Sequence, residues 1–424
     1  MKFLLLLFWL VGPALAQAQT VKNNAIVIGR VDSVTSVILK EKRTLWVSVP
    51  ASANDPAFLP QRYPVVYLLD GDDWFTTTTG LLQKLSEFPH SVCPEMIVVG
   101  IPNTDRTRDL TPSAPTADIE GIPAAGLKTA GGGETFTAFL EKELIPYIDA
   151  HYPTTAHRTL IGHSFGGLLV LNTLVHHPRL FDNYVAIDPS MFWDQEKLLQ
   201  QAHEALAQPR FAGRALFVAS ANETGQDSIQ VLQDPSVGAV MTRSNWKLRD
   251  ELARNRHNGL RSAYKYYPAD GHNSVPLLAT YDAVHFLFSA YAFSPATINE
   301  LSKSATTVQA AALLETHYRQ VSAQAGYPVL PPEATVNNFA YYMLSQPGQA
   351  AQALALFQLN ARSYPTSFNV HDSLGDYYQA QHQPAQAIAA YTKALQLREY
   401  PETRQKLTKL QGFRFSTKAL TPSL

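Results

Sequence analysis

The chain has 424 residues, of which 46% are hydrophobic and 16% are charged, and its formal net charge is −1 at pH 7. This composition predicts two or three folded domains with a substantial apolar core, and it excludes a self-repelling disordered chain. A nucleic-acid-binding protein is also disfavoured, because such proteins normally carry a basic face.

The chain begins MKFLLLLFWLVGPALAQAQT, in which a lysine precedes an apolar run and small residues follow at Ala14 and Ala16. This order is typical of a secretory signal peptide with an Ala-x-Ala cleavage site. We predict a signal peptide over residues 1–18, cleaved after Ala16 or Ala18, and a periplasmic or secreted mature protein. The apolar run is short for a membrane span, so we expect no integral membrane segment after cleavage; an uncleaved anchor is the alternative.

Residues 24–293 alternate strand-like runs with amphipathic stretches. The runs are TLWVSVP, PVVYLLDG, EMIVVGIP, RTLIGHS, NYVAIDP, ALFVASANE and AYKYYPADGH. Several are almost continuous in Val, Ile, Leu and Tyr, which is typical of strands buried on both faces. The pattern predicts an α/β domain with a mostly parallel central sheet. The earlier segment AIVIGRVDSVTSVILK predicts an antiparallel edge strand.

Strand signals stop near residue 296. Residues 334–367 and 368–401 align as two units of 34 residues. Equivalent positions carry small and aromatic side chains, namely Ala353 and Ala387, and Phe357 and Tyr391. This spacing resembles the tetratricopeptide repeat, in which such residues let two helices pack closely.

The C-terminal third is therefore predicted to be all-α. We expect a helical connector over 296–333, a small tetratricopeptide-like domain over 334–412 and a tail over 413–424. Repeats of this kind offer a surface for a protein partner; a plain helical tail is the alternative.

The pentapeptide Gly162-His163-Ser164-Phe165-Gly166 fits the pattern Gly-x-Ser-x-Gly. A match this short arises by chance in roughly one chain in ten of this length. Here, however, a predicted strand precedes it and a predicted helix follows it. Glycines in such a turn permit a strained backbone that exposes the hydroxyl, and the helix N-terminus favours negative charge. We predict that Ser164 is a nucleophile.

A serine hydroxyl needs a base to take its proton. The α/β-hydrolase order of serine, acid and histidine sets aside the early His163, His176 and His177. His272 lies in the loop ADGHNSVP, between the last strand-like run and a following helix. We predict that His272 is the base; a solvated loop histidine is the alternative.

The acid that orients the histidine is expected after the run ALFVASANE. Glu223 lies at its end and is the first choice, and Asp227 lies four residues later. Asp188, after the preceding run, is a third candidate. A Ser-His dyad without an acid stays open.

The oxyanion requires two main-chain N–H donors. Phe165, which follows the predicted nucleophile, supplies one. The loop DGDDWF supplies the other, because Gly71 allows close approach of the backbone and places the Asp72 N–H next. Two carboxylates without further ligands are a weak metal signal, so we expect no metal ion and no organic cofactor.

The ordered set YPVVYLLDGDDWF, VVGIPNTDRTRDLTPS, LIGHSFGGLLVLNTL, LFVASANE and GHNSVP resembles an esterase family of the α/β-hydrolase superfamily. That family includes enterobactin-type siderophore esterases and relatives of S-formylglutathione hydrolase and feruloyl esterases. The resemblance implies an α/β-hydrolase fold and the roles given above for Ser164, His272, Asp72 and Phe165. It points to Glu223 as the acid, although some siderophore esterases manage without one. This chain departs from the family at Asp188, where relatives commonly carry a serine.

Two further pairs of residues lie near the predicted site. Arg106 and Arg108 either bind an anionic substrate or hold their loop in place with Asp109 as partner. Phe192 and Trp193 either form the wall of a substrate pocket or belong to the core.

The sequence thus predicts a secreted serine carboxylic-ester hydrolase that forms an acyl-enzyme on a small-molecule ester. An acyltransferase that uses the same triad, or a non-catalytic repeat-bearing scaffold, is the alternative. A siderophore lactone, a feruloylated sugar and a simple acyl ester all remain open as substrates.

Overall fold

The structure, a computed structural model, describes residues 25–87, 91–115, 127–293 and 309–418, with side chains described up to residue 412. The described residues contain eight strands in one sheet, in the order β1-β2-β4-β3-β5-β6-β7-β8. The strands are β1 (Arg30–Ser36), β2 (Glu41–Ser48), β3 (Tyr63–Leu69), β4 (Ile97–Ile101), β5 (Thr154–His163), β6 (Asn183–Ile187), β7 (Arg214–Ala221) and β8 (Leu260–Tyr267).

The strand directions confirm the predicted mostly parallel sheet with an antiparallel edge. β1 pairs with β2, and β2 with β4, in antiparallel fashion, whereas the strands from β4 to β8 pair in parallel. The carboxyl ends of the parallel strands therefore meet at one edge of the sheet, where ligands bind in open α/β folds.

Helices cover both faces of the sheet. They are α1 (Gly71–Leu85), α2 (Arg106–Leu110), α3 (Gly133–Phe139), α4 (Ile145–His151), α5 (Phe165–His176), α6 (Trp193–Leu206), α7 (Ser228–Gln233), α8 (Val237–Arg254) and α9 (Val275–Leu287). A π-helical turn over Leu140–Leu144 joins α3 to α4.

Successive residues of a central strand pack in two different apolar cores, one on each face of the sheet. In β3, Tyr67 and Leu69 pack in the core that contains α3 and α5, whereas Val66 and Leu68 pack in the core that contains α1 and α9. Because successive side chains of a strand point to opposite faces, strands buried on both sides must be apolar throughout. This is why the strand-like runs were nearly continuous in Val, Ile, Leu and Tyr.

The described residues from 309 onward form helices and the short loops between them, as predicted. The helices are α10 (Gln309–Ala325), α11 (Glu333–Ser345), α12 (Ala350–Ser363), α13 (Phe368–Ala380), α14 (Pro384–Leu397) and α15 (Pro401–Lys418). Each 34-residue unit contains two of these helices. Gly375 is needed where α13 meets α14, because a Cβ there would lie 2.3 Å from a ring atom of Tyr391. The tetratricopeptide assignment, the domain boundaries and protein binding by this region stay predictions.

Residues 1–18 lie outside the described residues, so the signal peptide also stays a prediction. Within the part of the chain that the structure describes, no helix has the length and apolar character needed to cross a membrane. Cys93 is fully buried beside β4, and burial raises the pKa of its thiol to about 12. A thiol of this kind is a poor nucleophile.

Candidate active site

Ser164 lies between the end of β5 and the start of α5, at the predicted strand-to-helix turn. Its backbone has φ 59° and ψ −117°, a conformation that L-residues rarely adopt. The turn is tight enough that a Cβ on Gly162 would lie 2.4 Å from the Gly166 carbonyl carbon. The Ser164 N–H donates to the Ile187 carbonyl at 3.0 Å, which joins the turn to β6. The strained turn leaves the Ser164 side chain half-buried at the carboxyl edge of the sheet.

His272 lies in the loop between β8 and α9, and its ring contacts Asp188. The His272 Nδ1 atom is 2.7 Å from Oδ2 of Asp188, whose residue is 1% exposed. The other oxygen, Oδ1, accepts hydrogen bonds from the Ala221 N–H at 3.0 Å and from Asn245 Nδ2 at 3.2 Å. Both oxygens of this buried carboxylate are therefore satisfied, as burial of a charge requires.

The structure does not place Glu223 at the imidazole ring, contrary to the first choice made from the sequence. Glu223 Oε2 accepts the main-chain N–H of His272 at 2.7 Å instead. Asp227 caps helix α7, with Oδ1 accepting the N–H groups of Ile229 and Gln230 at 2.9 Å each. Among the described carboxylates, it is Asp188 that contacts the ring.

The physical reason lies in the order of the strands. The pairing of β7 with β8 ends at Ala221 and Tyr267. Glu223, two residues after Ala221, therefore lies beside the backbone of the loop that carries His272. β6 ends beside the Ser164 turn, and Asp188 turns out of it with φ 41°. Asp188 is the third candidate from the sequence. Two signals favoured it: a carboxylate directly after the apolar run Tyr184-Val185-Ala186-Ile187, and the departure from the family at this position.

Ser164 and His272 are not hydrogen-bonded to each other in the described residues. The Ser164 hydroxyl oxygen lies 3.3 Å from that of the buried Ser190, and the Ser190 N–H donates to the Ser164 carbonyl at 3.2 Å. The His272 ring lies 4.3 Å, centroid to centroid, from the ring of His163, the residue before Ser164. This contact places the imidazole at the turn, where a bond from hydroxyl to base commonly tightens once substrate binds.

His163, which the order of serine, acid and histidine excludes as the base, is buried. It is 7% exposed, and among the described residues its Nε2 atom has no hydrogen-bond partner. Burial and, secondarily, the proximity of His272 lower the pKa of His163 to about 3, so its ring is neutral at pH 7. A narrow cleft opens beside it, lined in part by Leu68, Trp74, Thr78, Leu277 and Thr280.

The two predicted oxyanion donors, Asp72 and Phe165, lie in the first turns of α1 and α5. First-turn N–H groups have no acceptor within their own helix, so they are available to a ligand. The two helix starts adjoin, because a Cβ on Gly166 would lie 3.1 Å from Oδ2 of Asp70. Gly71 lets the start of α1 pack against β4, since a Cβ there would lie 2.5 Å from the Ile101 nitrogen.

Arg106 holds this arrangement together. Its Nε and Nη2 atoms donate to the two carboxylate oxygens of the buried Asp70 at 2.6 and 3.1 Å, and Nη2 also donates to the His163 carbonyl at 3.4 Å. Arg108 pairs with Asp109 at 2.7 Å. Of the two interpretations offered by the sequence, the contacts favour the one in which these arginines hold loops. The partner of Arg106, however, is Asp70 and not Asp109.

Trp193 is a buried residue and only borders a pocket beside α6. It is 1% exposed, its indole N–H donates to the Ser113 carbonyl at 2.9 Å, and its ring lies edge-on to Phe165 at 4.9 Å. Trp193 therefore belongs to the core beneath the turn. Its ring packs against the ring of Phe165. These contacts do not favour the choice of Trp193 as a substrate-binding residue.

The lowered pKa of His163 predicts a pH-dependent stability. The unfolded chain protonates His163 near its ordinary pKa of 6.5, whereas the folded chain does so only near pH 3. The free energy of unfolding therefore falls as pH drops below 6.5, and at pH 5 this residue accounts for about 2 kcal/mol of the loss. Urea unfolding at pH 7.5 and pH 5 is expected to show a smaller loss for His163→Gln than for the wild type. Equal losses in both proteins would contradict this assignment.

Comparison with known proteins identifies the family. Residues 36–273, more than half of the 424-residue chain, match the model of the family described as "Putative esterase". The chain is 29% identical to the ferri-bacillibactin esterase BesA of Bacillus subtilis over 57% of this chain and 83% of that protein. It is 32% identical to the siderophore triacetylfusarinine C esterase of Aspergillus fumigatus over 38% of this chain and 56% of that protein.

A solved structure has the same architecture. The IroE-like serine hydrolase from Shewanella oneidensis is 29% identical, with a TM-score of 0.67 over 79% of this chain and 99% of that chain. The family match, the named esterases and this serine hydrolase all agree with the geometry at the carboxyl edge of the sheet. The chain therefore belongs to this esterase family, and it is an esterase with the α/β-hydrolase fold.

Proposed function

We propose that the protein is a serine carboxylic-ester hydrolase in which Ser164 is the nucleophile, His272 the base and Asp188 the acid. The observation that carries this proposal is the 2.7 Å contact between His272 Nδ1 and the buried Asp188. A carboxylate at Nδ1 keeps the ring proton on that nitrogen, which leaves Nε2 free to accept a proton from a hydroxyl.

The first half of the reaction forms an acyl-enzyme. The Ser164 oxygen bonds to the ester carbonyl carbon while its proton passes to His272 Nε2, and the carbonyl electron pair moves onto the oxygen. The main-chain N–H groups of Asp72 and Phe165 stabilise this oxyanion. As the tetrahedral intermediate collapses, the carbon–oxygen ester bond breaks and the leaving alcohol takes the proton from His272.

The second half releases the acid. His272 Nε2 takes a proton from water while the water oxygen attacks the acyl-enzyme carbonyl, and the same N–H donors hold the new oxyanion. Collapse breaks the bond to the Ser164 oxygen, which recovers its proton from the imidazolium. Asp188 stabilises the imidazolium in both halves without itself taking the proton.

For the substrate class, we propose siderophore-type esters. The support is the naming of the relatives: BesA acts on ferri-bacillibactin, and the Aspergillus fumigatus relative on triacetylfusarinine C. We also propose that the protein is exported, on the strength of the signal-peptide pattern in residues 1–18.

Replacing the nucleophile tests the central step. Ser164→Ala is expected to lower kcat for a p-nitrophenyl ester by at least about a thousandfold, because no other group can form the acyl-enzyme. Labelling by a fluorophosphonate probe is expected to disappear in the same variant, and His272→Ala is expected to behave alike. The matched control is Ser86→Ala, at the exposed end of α1, which should retain both signals. Turnover by Ser164→Ala at the wild-type level refutes the proposal.

Replacing the acid tests the role of Asp188. In Asp188→Asn, the carboxamide oxygen can still accept the Ala221 N–H, but the amide N–H₂ then faces Nδ1 and favours the wrong tautomer. We expect kcat to fall by roughly 10³- to 10⁴-fold while the variant stays folded. The measurement is kcat together with the thermal unfolding midpoint. A folded Asp188→Asn enzyme with unchanged kcat would remove Asp188 from the mechanism.

A substrate panel tests the proposed ester class. The purified wild-type enzyme is assayed on a catecholate trilactone, on a feruloylated sugar and on p-nitrophenyl butyrate, and kcat/KM is compared. We expect the trilactone to give the highest value, by at least about tenfold over the others. A higher kcat/KM for either alternative ester would reassign the substrate class and leave the triad unaffected.

A further inference from the structure

We propose that Glu223 is a positioning residue that holds His272 through its main-chain N–H, while Asp188 orients the ring. One histidine is then fixed by two carboxylates that act on different parts of it. This inference rests on the proposed function, because it assumes that His272 is the base.

The loop after β7 holds the loop after β8. The Asn222 N–H donates to the Asp270 carbonyl at 2.9 Å, and Asn222 Nδ2 donates to the Pro268 carbonyl at 3.3 Å. Glu223 Oε2 completes the set by accepting the His272 N–H at 2.7 Å. Three hydrogen bonds from two consecutive residues thus fix the backbone that carries the imidazole.

The strand order explains why Glu223 contacts the backbone of His272 and Asp188 contacts its ring. Because β7 lies directly beside β8, a side chain at its end reaches the neighbouring backbone. Asp188, at the end of β6, instead meets the ring, which lies 4.3 Å from the ring of His163, the residue before Ser164. The contact with Asp188 restrains the ring end of the side chain, and the contact with Glu223 restrains the backbone from which the side chain starts.

Helix α8 shapes the space for the Glu223 side chain. Gly238, near the start of that helix, faces the side chain so closely that a Cβ there would lie 2.7 Å from Cγ and 3.2 Å from Cβ of Glu223. An alanine methyl group at position 238 therefore presses on the Glu223 side chain, and its three nearest atoms belong to Glu223 and Thr224, not to Asp188 or His272. Gly238→Ala is therefore an independent way to disturb the same contact.

The contact of Glu223 with the His272 N–H differs chemically from the contact that a triad acid makes with the imidazole ring. An N–H donor needs only an oxygen acceptor, and the carboxamide oxygen of glutamine supplies one; an acid that stabilises the imidazolium needs its charge. Glu223→Gln is thus expected to preserve a positioning role and to abolish an acid's role. Glu223→Ala removes both.

The experiment measures kcat, KM and the pH dependence of kcat/KM on a p-nitrophenyl ester for Glu223→Ala, Glu223→Gln and Gly238→Ala. We expect Glu223→Ala and Gly238→Ala to lower kcat by about tenfold or more with little change in KM, because a displaced base is misaligned. Glu223→Gln is expected to recover most of the lost turnover, with the wild-type pH profile.

Two controls match these variants. Asp227→Asn removes a charge from the same loop but keeps an oxygen that can cap α7, and Gly80→Ala adds a methyl group at a helical glycine with no atom within 4 Å. Both are expected to have wild-type kcat. Thermal unfolding of every variant separates misfolding from misalignment, and Gly238→Ala decides the matter if Glu223→Ala does not fold.

Two results would overturn the inference. The first is wild-type kcat in folded Glu223→Ala, or in Gly238→Ala if only that variant folds. The second is a Glu223→Gln enzyme as impaired as Glu223→Ala, which would show that the charge itself is needed. Failure of the proposed function gives a different signature, namely turnover by Ser164→Ala in the same assay.

Discussion

The structure of the site depends on one buried contact, the 2.7 Å hydrogen bond between His272 Nδ1 and Asp188. A carboxylate that is 1% exposed is costly to bury unless every oxygen is satisfied. Here the remaining acceptor capacity is taken by the Ala221 N–H at the end of β7 and by Asn245 of α8. The same carboxylate therefore joins the ends of β6 and β7, helix α8 and the loop after β8, and it holds them in one arrangement.

Three residues with strained backbone lie at the same edge of the sheet. Asp70, Ser164 and Asp188 follow β3, β5 and β6, which are neighbours in the sheet, and their φ values are 51°, 59° and 41°. Non-glycine residues adopt such values only where the surrounding structure imposes them. Three contacts hold these residues in place. Arg106 forms an ion pair with Asp70, the Ile187 carbonyl accepts the Ser164 N–H, and the Ala219 carbonyl accepts the Asp188 N–H. These contacts keep a strained edge in place for ester chemistry.

Arg106 connects the start of α1 to the turn that carries Ser164. Its guanidinium binds the Asp70 carboxylate just before α1 and the His163 carbonyl just before Ser164, and it lies 5.2 Å from the centre of the Phe165 ring. Loss of this cation would leave Asp70 buried without its charge partner, a larger penalty than loss of an exposed ion pair. The arginine thus fixes the two segments relative to each other.

The sequence by itself determined the fold class, the strand order along the chain and the strand-to-helix turn at Ser164, because apolar runs and a glycine-rich turn are local patterns. It also placed Asp72, Phe165 and His272 at the correct edge, since the carboxyl ends of parallel strands meet there. Only the tertiary structure decided that Asp188 and not Glu223 faces the imidazole, that Trp193 is buried and that Arg106 forms an ion pair with Asp70. Each of these depends on which neighbouring strand end a side chain reaches, a distance set by sheet order and backbone strain that no local pattern encodes.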